Sequence, residues 1–451
     1  MKIVLIGLGT IGRTILSSLS GEGHSITIID ESKVKVEALI ELFDVLGVVG
    51  NGACRDIQLE AGVNGADLVV ALTRSDELNI LACIVAKKIG ARNTIARVRN
   101  PDYRTQIAEM KEELGIAMVV NPERETANEI FNLISLPSVA NIEHFAKGKA
   151  YLVEIVVEKG CSLIGETLIS LGSKLRSKVL ICAVQRGKEV IIPTGGFRIE
   201  EGDRLHFTSE ARALGDFLSE VDLVRSPLKN IMIVGGGRTG YYLADALAKK
   251  KYAVKLIESD SGHASELAQQ LPDITVVYGN GTKHDLLIEE GIEAMDAFVA
   301  LTDIDEENMI VSMFANNKDV RKTITQVKSD DLYGMLGELG IENTVSPRHI
   351  VASRISSYIR ALANKRGSNV LTLYQLVNNR VEALEFAARK QEFFLSKPLK
   401  ELRIRQGCLI GCIIRRNEVI IPGGDSQIKL GDNVVVVTTH KSFDDLADVF
   451  E

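Results

Sequence analysis

Short runs of β-branched and aliphatic residues alternate with amphipathic stretches along the first 120 residues of the chain. The runs are almost wholly apolar, which is typical of strands buried on both faces of a parallel sheet. They read KIVLIG, SITIID, GVVG, ADLVVALT, NTIARV and AMVV. Residues 12–20 and 77–88, which lie between runs, have the spacing of amphipathic helices. This alternation predicts βαβ units on a parallel sheet.

The pattern occurs twice. The segment IVLIGLGTIG at residues 3–12 is matched by IMIVGGGRTG at residues 231–240, a separation of 228 residues. Further on, GNGACRD is matched by GNGTKHD, ALTRSDELN by ALTDIDEEN, and EVIIPTGG by EVIIPGGD. Self-similarity over such a length predicts a duplicated structural unit.

Each copy also changes character part-way. A helix with proline in its first turn follows the parallel-sheet pattern, at roughly residues 122–136 with Asn121 as its cap and at residues 347–364 with Ser346 as its cap. A strand-rich segment follows each helix, and we expect short helices at its end, at residues 211–220 in the first copy and 443–450 in the second.

The predicted fold class is therefore α/β, with two tandem Rossmann-like parallel-sheet lobes, each followed by a small β-rich α+β lobe. The predicted boundaries are 1–122 for the first Rossmann-like lobe, 123–228 for a crossover helix and the first small lobe, 229–346 for the second Rossmann-like lobe, and 347–451 for a crossover helix and the second small lobe.

Composition removes several classes of partner. With 53 Lys and Arg against 60 Asp and Glu, the net charge is −7, whereas binding nucleic acid needs a basic face, so we expect no nucleic-acid partner. No apolar run approaches the roughly 18 residues of a spanning helix, and we interpret the apolar opening residues as a strand, not a leader peptide. The 6 cysteines form no Cys-x-x-Cys pair, which suits a reducing, cytoplasmic location.

Glycine is abundant, at 38 residues, and six of these residues form two Gly-x-Gly-x-x-Gly loops between a predicted strand and a helix. Such a loop turns tightly, lets backbone N–H groups approach a pyrophosphate and packs the helix on the sheet. An acidic residue for the ribose hydroxyls follows 18 residues after each third glycine. The first site is thus predicted to comprise Gly7, Gly9, Thr10, Ile11, Gly12 and Asp30, and the second Gly235, Gly237, Arg238, Thr239, Gly240 and Glu258.

Other shared positions lie where the predicted strands end, the edge at which open α/β sheets bind ligands. Asn51 and Asn280 follow the third strand and are candidates for the adenosine half. Thr73 and Thr302 follow the fourth strand and are candidates for the ribose or nicotinamide. Acids also begin the helices that come next. Interaction with the helix dipole explains these acids at least as well as contact with a ligand does.

The two copies differ in charge. Arg97 ends a strand of the first copy and has Gln326 as its counterpart, whereas Arg238 replaces Thr10 in the second glycine loop. We expect NAD(H) in the first site, because the Thr10 loop leaves room for a nicotinamide ribose. We expect ATP or ADP, or NAD(H), in the second site, where Arg238 would compensate a terminal phosphate unless it is merely solvated.

Catalytic groups are harder to find. A dehydrogenase needs a proton-transferring or polarising group beside the nicotinamide. The 7 histidines are scattered, and none recurs in the other copy. We find no metal-ligand cluster and no Ser/His/Asp or Cys/His pattern. The sequence predicts a protein that binds nucleotides and does not transform them.

Taken together, the doubled glycine loop with its acid, GNG, ALTxxDExN, the proline-started helix and the EVIIPxG lobe resemble the tandem RCK (regulator of potassium conductance) proteins. Within them, the chain is most similar to the cytosolic regulatory subunits of Trk-type potassium uptake systems, built of TrkA-N and TrkA-C domains. The resemblance covers nearly the whole chain. It implies a homotetrameric ring, peripheral on the inner face of the plasma membrane, held by a Trk-type membrane transporter subunit.

The resemblance also implies a function. NAD(H), ATP or ADP bound at the sheet ends would change the ring and thereby gate potassium uptake, with the two crossover helices as hinges. Two alternatives stay open: an NAD-dependent oxidoreductase, and a nucleotide-sensing hub for a different partner.

Overall fold

The apolar runs form strands and the amphipathic stretches form helices, as described below from a computed structural model. The structure describes the chain except for residues 21, 136–140, 146–148, 188, 211, 224–227, 334–335, 342, 365–369, 377–379, 390, 417, 441–442 and 444. It contains two compact units. One comprises Met1–Ile134 and Leu228–Ser356, and the other comprises Ser135–Pro227 and Ser357–Glu451.

The first Rossmann-like lobe is a parallel sheet with helices in its crossovers. Its strands are β1 (Lys2–Ile6), β2 (Ser25–Asp30), β3 (Leu46–Val49), β4 (Leu68–Ala71), β5 (Asn93–Arg97) and β6 (Met118–Val120). Its helices are α1 (Thr10–Leu19), α2 (Lys33–Leu42), α3 (Arg55–Glu60), α4 (Asp76–Ile89) and α5 (Pro101–Leu114). The strand order is β3-β2-β1-β4-β5-β6, so the chain reverses direction across the sheet between β1 and β4. A crevice at the carboxyl ends of these strands is the usual place for a ligand.

The crossover helix α6 (Pro122–Ser135) leads to the first small lobe. That lobe comprises β7 (Asn141–Phe145), β8 (Ala150–Val156), α7 (Leu168–Lys174), β9 (Val179–Arg186), β10 (Glu189–Ile191), β11 (Arg204–Glu210) and α8 (Leu214–Glu220). Its antiparallel sheet has the order β10-β9-β11-β8-β7. The helix predicted at residues 211–220 is thus present from Leu214, and residues 136 and 211 lie outside the described chain.

The second Rossmann-like lobe repeats the first. Its strands are β12 (Asn230–Val234), β13 (Ala253–Glu258), β14 (Thr275–Tyr278), β15 (Ala297–Ala300), β16 (Lys322–Gln326) and β17 (Asn343–Val345), in the order β14-β13-β12-β15-β16-β17. Its helices are α9 (Arg238–Lys249), α10 (Ser261–Gln270), α11 (His284–Glu289), α12 (Asp305–Asn317) and α13 (Asp330–Tyr333), with 3₁₀ turns at Ile292–Ala294 and Leu336–Leu339.

The second crossover helix α14 (Pro347–Asn364) precedes the second small lobe. Its strands are β18 (Val370–Leu376), β19 (Val381–Ala387), β20 (Cys408–Arg415), β21 (Glu418–Ile420) and β22 (Asn433–Thr438), with 3₁₀ turns at Leu399–Glu401 and Leu446–Val449. The strand order is β18-β19-β22-β20-β21. The predicted duplicated fold class is confirmed.

The terminal helix predicted at residues 443–450 is wrong. The described residues there form only the 3₁₀ turn Leu446–Val449. The chain then pairs with residues 403–405 in extended form, since the backbone N–H of Arg405 donates to the Val449 carbonyl and Ile404 forms an antiparallel bridge with Phe450. Extended pairing is incompatible with continued helix.

The crossover helices join the two Rossmann-like lobes into one unit. Ala127, Ile130 and Leu133 of α6 belong to the same buried cluster as Ile231 and Leu243 of the second lobe. Helix α6 therefore completes the core of the other copy. Because the compact unit extends to residues 134 and 356, most of α6 and the first half of α14 lie with the Rossmann-like lobes. The domain boundaries stay predictions.

The two helix caps differ. Asn121 caps α6, accepting a hydrogen bond from the backbone N–H of Arg124 at 3.0 Å. The Ser346 hydroxyl was expected to cap α14, but it is buried without a hydrogen-bond partner among the described residues, so this prediction is wrong. The start of α14 therefore has an unused polar atom at the edge of the second sheet.

Candidate nucleotide sites

The first glycine loop has the shape that its sequence predicts. Gly7 has φ +94°, and a Cβ there would lie 2.8 Å from the backbone nitrogen of Thr73. A Cβ at Gly12 would lie 2.3 Å from the carbonyl oxygen of Gly7. A Cβ at Gly9 would meet nothing within 4 Å. Two glycines are thus required by close packing, and Gly9 faces open space at the N-terminus of α1, where a pyrophosphate would lie.

The second glycine loop repeats this geometry. A Cβ at Gly235 (φ +107°) would lie 2.6 Å from the Leu301 carbonyl oxygen, and one at Gly240 would lie 2.2 Å from the Gly235 carbonyl oxygen. Gly237 again faces open space. Thr10 and Arg238 are the first residues of α1 and α9. Ile11 and Thr239 are buried behind them, so these two side chains pack in the lobes and leave only their backbone groups for a ligand.

Asp30, the acid at the end of β2, holds the glycine loop of its own lobe. Its carboxylate accepts hydrogen bonds from the backbone N–H groups of Leu8 at 2.7 Å and Ser32 at 2.9 Å. Each carboxylate oxygen has further lone pairs, so the group can also accept a hydrogen bond from a ribose hydroxyl. The structure thus gives Asp30 a loop-bracing role, and the ribose contact stays a prediction.

Glu258 braces the second loop in the same way. It accepts hydrogen bonds from the backbone N–H groups of Gly236 at 2.9 Å and Asp260 at 2.8 Å. Here a histidine joins the site, because the His263 Nε2 lies 3.0 Å from the Gly236 carbonyl oxygen. Nε2 must carry the proton to donate to that carbonyl. Lys35 holds the matching position in the first lobe, 3.9 Å from Asp30.

The ends of the fourth and fifth strands are clamped by an asparagine. Asn79, fully buried, accepts from the backbone N–H of Thr73 at 2.8 Å and from its hydroxyl at 2.7 Å. Its amide donates to the carbonyls of Thr73 and Arg97. Asn308 makes the same backbone bonds to Thr302 in the second lobe. The threonines therefore lie at the crevice with positions fixed by buried asparagines.

Asp76 and Asp305 have structural roles. The Asp76 carboxylate accepts from both backbone N–H groups of residues 99–100 at 2.8 Å, and the Asp305 carboxylate accepts from those of residues 328–329. The two acids therefore fix the segment that follows the fifth strand of each lobe. Because they are also the first residues of α4 and α12, their negative charges interact favourably with the helix dipoles.

Asn51 and Asn280 shape the turn after the third strand. The Asn51 Oδ1 accepts from the backbone N–H of Ala53, and the Asn280 Oδ1 accepts from that of Thr282, both at 2.9 Å. These Asx turns fix each asparagine at the sheet edge. A contact from either amide to an adenosine stays a prediction.

Arg97 is held in a partly desolvated position in the first site. One guanidinium nitrogen donates to the Thr73 carbonyl at 3.3 Å, whereas Nε is buried without a partner among the described residues. Burial lowers the pKa of the Arg97 guanidinium, and the nearby charge of Arg99 lowers it further. Arginine stays protonated nonetheless, so the site contains a charge with unused hydrogen-bonding capacity.

Arg238 also acts on this position, although it belongs to the second lobe. Its charge lowers the pKa of Arg97, while the carboxylates of Glu123 and Asp76 raise it. Residues that the sequence assigned to separate sites, Arg97 and Arg238, are thus brought within electrostatic range. The buried Oε2 of Glu123 has no hydrogen-bond partner in the described part of the chain. This edge of the first site combines three guanidinium groups with two carboxylates.

Two family models decide what kind of chain this is. The TrkA-N domain matches residues 3–122 and 231–347, and the TrkA-C domain matches residues 152–235 and 393–451. These matches cover well over half of the sequence. The chain belongs to the TrkA family.

TrkA relatives match it from end to end. The Trk system potassium uptake protein TrkA homolog 1 of Methanosarcina mazei is 32% identical over 100% of both chains, and the TrkA homolog of Archaeoglobus fulgidus is 30% identical over 100% of both. A solved structure, the GsuK channel bound to NAD, covers 98% of this chain and 77% of its own with a TM-score of 0.64 at 19% identity. That likeness supports the duplicated RCK fold.

Some site residues of this TrkA-family chain were missed from sequence. Arg99 was not singled out in RVRN, although its counterpart Lys328 is also basic. His263 was not selected because no histidine recurs in the other copy. Recurrence of the same residue is a poor criterion here, because a different basic residue, lysine, has the matching position in the first lobe. Glu123 and its counterpart Arg348 were missed because they lie in the crossover helices, and the sequence pattern predicts ligand contacts only at strand ends.

Two findings concern the rest of the molecule. None of the helices in the described part of the chain is long and apolar enough to cross a membrane. Within that part, no three His, Cys, Asp or Glu side chains are grouped as metal ligands.

Proposed function

We propose that this chain is the nucleotide-binding regulatory subunit of a Trk-type potassium uptake system. The observation that carries the proposal is the pair of braced glycine loops within a TrkA-family chain. Each loop presents an open glycine at a helix N-terminus beside an acid suited to a ribose. The relatives are potassium uptake proteins, which supports potassium uptake as the process, and the GsuK channel binds NAD in a similar fold, which supports NAD as one nucleotide.

The charges of the first site support binding of a nucleotide with a terminal phosphate as well as NAD(H). Arg97 and the first residue of α9, Arg238, both contribute positive charge near this edge, which α9 contacts through the Tyr242 hydroxyl, 3.5 Å from the Arg99 carbonyl oxygen. Arg97 Nε has no partner in the described chain. A phosphate at this edge would offset the positive charge and accept charge-assisted hydrogen bonds. The uncharged ribose of NAD(H) would gain less at that edge. In this proposal, Arg238 contributes to phosphate binding at the first site and not at the site of its own lobe.

Gating follows if nucleotides favour one arrangement of the Rossmann-like lobes over another. Helix α6 packs in the core of the second lobe, and this shared core would carry a change at one sheet end to the other copy. We propose that the chain forms a ring, a homotetramer as in the family, attached to the cytoplasmic face of the membrane through the transporter subunit. The crossover helices would act as its hinges.

Binding stoichiometry and turnover measured together test this proposal. Equilibrium titration of the purified protein with ATP and with NADH should give at least one stoichiometric site per chain. NADH absorbance should stay constant in the presence of carbonyl substrates. Co-sedimentation with vesicles containing a Trk-type transporter, and not with empty vesicles, should accompany binding. Substrate-dependent hydride transfer would favour the oxidoreductase alternative, and the absence of any nucleotide binding would refute the proposal.

A further inference from the structure

The second Rossmann-like lobe has a cluster of buried polar atoms that its fold leaves unused. Gln326 is 5% exposed and Ser346 is 3% exposed, yet neither Gln326 Oε1 nor Ser346 Oγ has a hydrogen-bond partner among the described residues. Arg348 Nε, also buried, is without one too. Burying a polar atom with no partner costs about 1–3 kcal/mol, so three together indicate that something else satisfies them.

These three residues lie at one edge of the sheet. Gln326 ends β16 and pairs with Val345, the last residue of β17. Ser346 follows directly, and Arg348 is the second residue of α14. The cluster is therefore at the carboxyl ends of neighbouring strands, on the side of the sheet that carries the second glycine loop. That is the side on which a ligand binds in this fold.

The matching position of the first lobe has the opposite arrangement of charge. There the strand supplies the guanidinium, Arg97, and the helix supplies a carboxylate, Glu123. In the second lobe the strand supplies a neutral amide, Gln326, and the helix supplies the guanidinium, Arg348. Each lobe thus places one arginine at the outer end of its crevice, but in the second lobe that arginine belongs to the crossover helix.

We propose that Arg348 binds the terminal phosphate of an adenine nucleotide in the second lobe. This inference rests on the proposed function, which it deepens. In the described structure Arg348 is 12% exposed and its Nη2 contacts the Asp330 carboxylate, whereas its Nε has no hydrogen-bond partner among the described residues. The Arg348 Nε–H and the Ser346 hydroxyl donate to the phosphate oxygens. The Gln326 side-chain amide turns on binding, so that its Nε2 donates to the phosphate in place of the unpartnered Oε1.

The helix that contains Arg348, α14, also contacts elements of the first copy. Further along α14, the Ser356 hydroxyl lies 2.9 Å from the Ser18 hydroxyl on α1, the helix that follows the first glycine loop. Arg354 of α14 contacts Glu125 of α6. A phosphate that binds Arg348 therefore acts on a helix that is already in contact with the first lobe.

A thiol placed in the second site gives a local readout. Of the six cysteines, all in the described chain, Cys54 is exposed and the other five are buried. Cys54 belongs to the GNG turn of the first site, and its counterpart in the second, Lys283, is exposed. In the full-length Cys54→Ser, Lys283→Cys variant, protection of the thiol from maleimide labelling reports occupancy of the second site.

On that background, labelling is titrated with ATP and with AMP in Arg348→Gln, Arg348→Lys and the control Lys250→Gln, an exposed cation of the same lobe. Arg348→Gln should weaken protection by ATP about ten-fold and leave AMP within two-fold, because AMP does not reach the cluster. Arg348→Lys should recover part of the loss, and Lys250→Gln should match the parent.

The outcomes separate this inference from the function on which it rests. If ATP protects the parent variant and Arg348→Gln keeps the same ATP-to-AMP ratio, the role of Arg348 is refuted while nucleotide binding stands. If neither nucleotide protects the second-site thiol, both the role of Arg348 and the proposed second site are refuted. An equal loss for ATP and AMP would show that the change damages the lobe, and would also overturn the phosphate contact.

Discussion

Replacing Arg238 with alanine tests whether the two Rossmann-like lobes share one phosphate-binding edge. Arg238 begins α9 of the second lobe, and this helix contacts the first lobe, because the Tyr242 hydroxyl donates to the Arg99 carbonyl at 3.5 Å. The charge of Arg238 accordingly lowers the pKa of Arg97. The change should therefore weaken ATP at the first site and have little effect on NADH there. Sequence alone would place the loss in the second lobe, so the location of the effect discriminates between the two interpretations.

The size of the effect follows from the environment of the side chain. A hydrogen bond to a charged group contributes roughly 1.5–3 kcal/mol, and screening by water reduces that for an exposed residue such as Arg238. About 1.4 kcal/mol, a ten-fold loss of ATP affinity, is a reasonable expectation. The free protein should respond in the opposite sense, because removing Arg238 relieves its repulsion of Arg97. Without nucleotide, the Tm should stay level or rise slightly.

Cys54 makes the assay specific for the first site, since it is the exposed thiol beside that site. Maleimide labelling of Cys54 is titrated against ATP and NADH in the wild type, in Arg238→Ala and in the control Arg212→Ala, an exposed arginine of a small lobe. Equal losses of ATP and NADH protection, or no loss at all, would refute the shared edge. So would a fall in the Tm of the nucleotide-free variant together with unchanged protection by ATP.

Three further changes test other parts of the structure. Asp30→Ala removes the acceptor for two backbone N–H groups, so the affinities for NADH and ATP, measured by protection of Cys54, should both fall about ten-fold. Unchanged affinity would contradict the ribose assignment. Gly240→Ala places a Cβ 2.2 Å from a backbone oxygen, so thermal unfolding should show a loss of about 1–3 kcal/mol with loss of second-site binding, and a neutral result would contradict the close approach. Burial raises the pKa of Glu129 from 4.5 to about 7, so the native state favours the neutral acid and loses stability as the pH rises through this window. Glu129→Gln should therefore stabilise the protein at pH 8 by at most about 3 kcal/mol and have little effect at pH 4.5, as judged by urea unfolding, and a pH-independent difference would contradict the shift.

Much of the fold was predictable because the sheets are parallel and duplicated. Buried parallel strands read as apolar runs, and the repeat of KIVLIG in NIMIVG fixes the order of the lobes. The tail was not predictable, because the pairing of Ile404 with Phe450 joins residues distant in sequence. From the sequence we expect a short helix there, and the tertiary contact overrides that expectation.

The sites were predictable where backbone geometry imposes a residue type. Gly7 and Gly12 are required by contacts within one loop, and the acid at the end of β2 is set by its distance from that loop. The outer edge was not predictable, because the Arg238 charge comes within electrostatic range of Arg97 only when the two lobes pack together. Arg348 was missed for a related reason, since its helix is far from the glycine loop in sequence.

Potassium flux through reconstituted vesicles tests the central claim most directly. Vesicles containing a Trk-type transporter are compared with and without this protein while ATP or NADH is titrated. The proposed function predicts that flux depends on nucleotide only when the protein is present, and that Gly240→Ala changes that dependence. A nucleotide response that is the same without the protein, or no response with it bound, would contradict the claim that this chain regulates uptake.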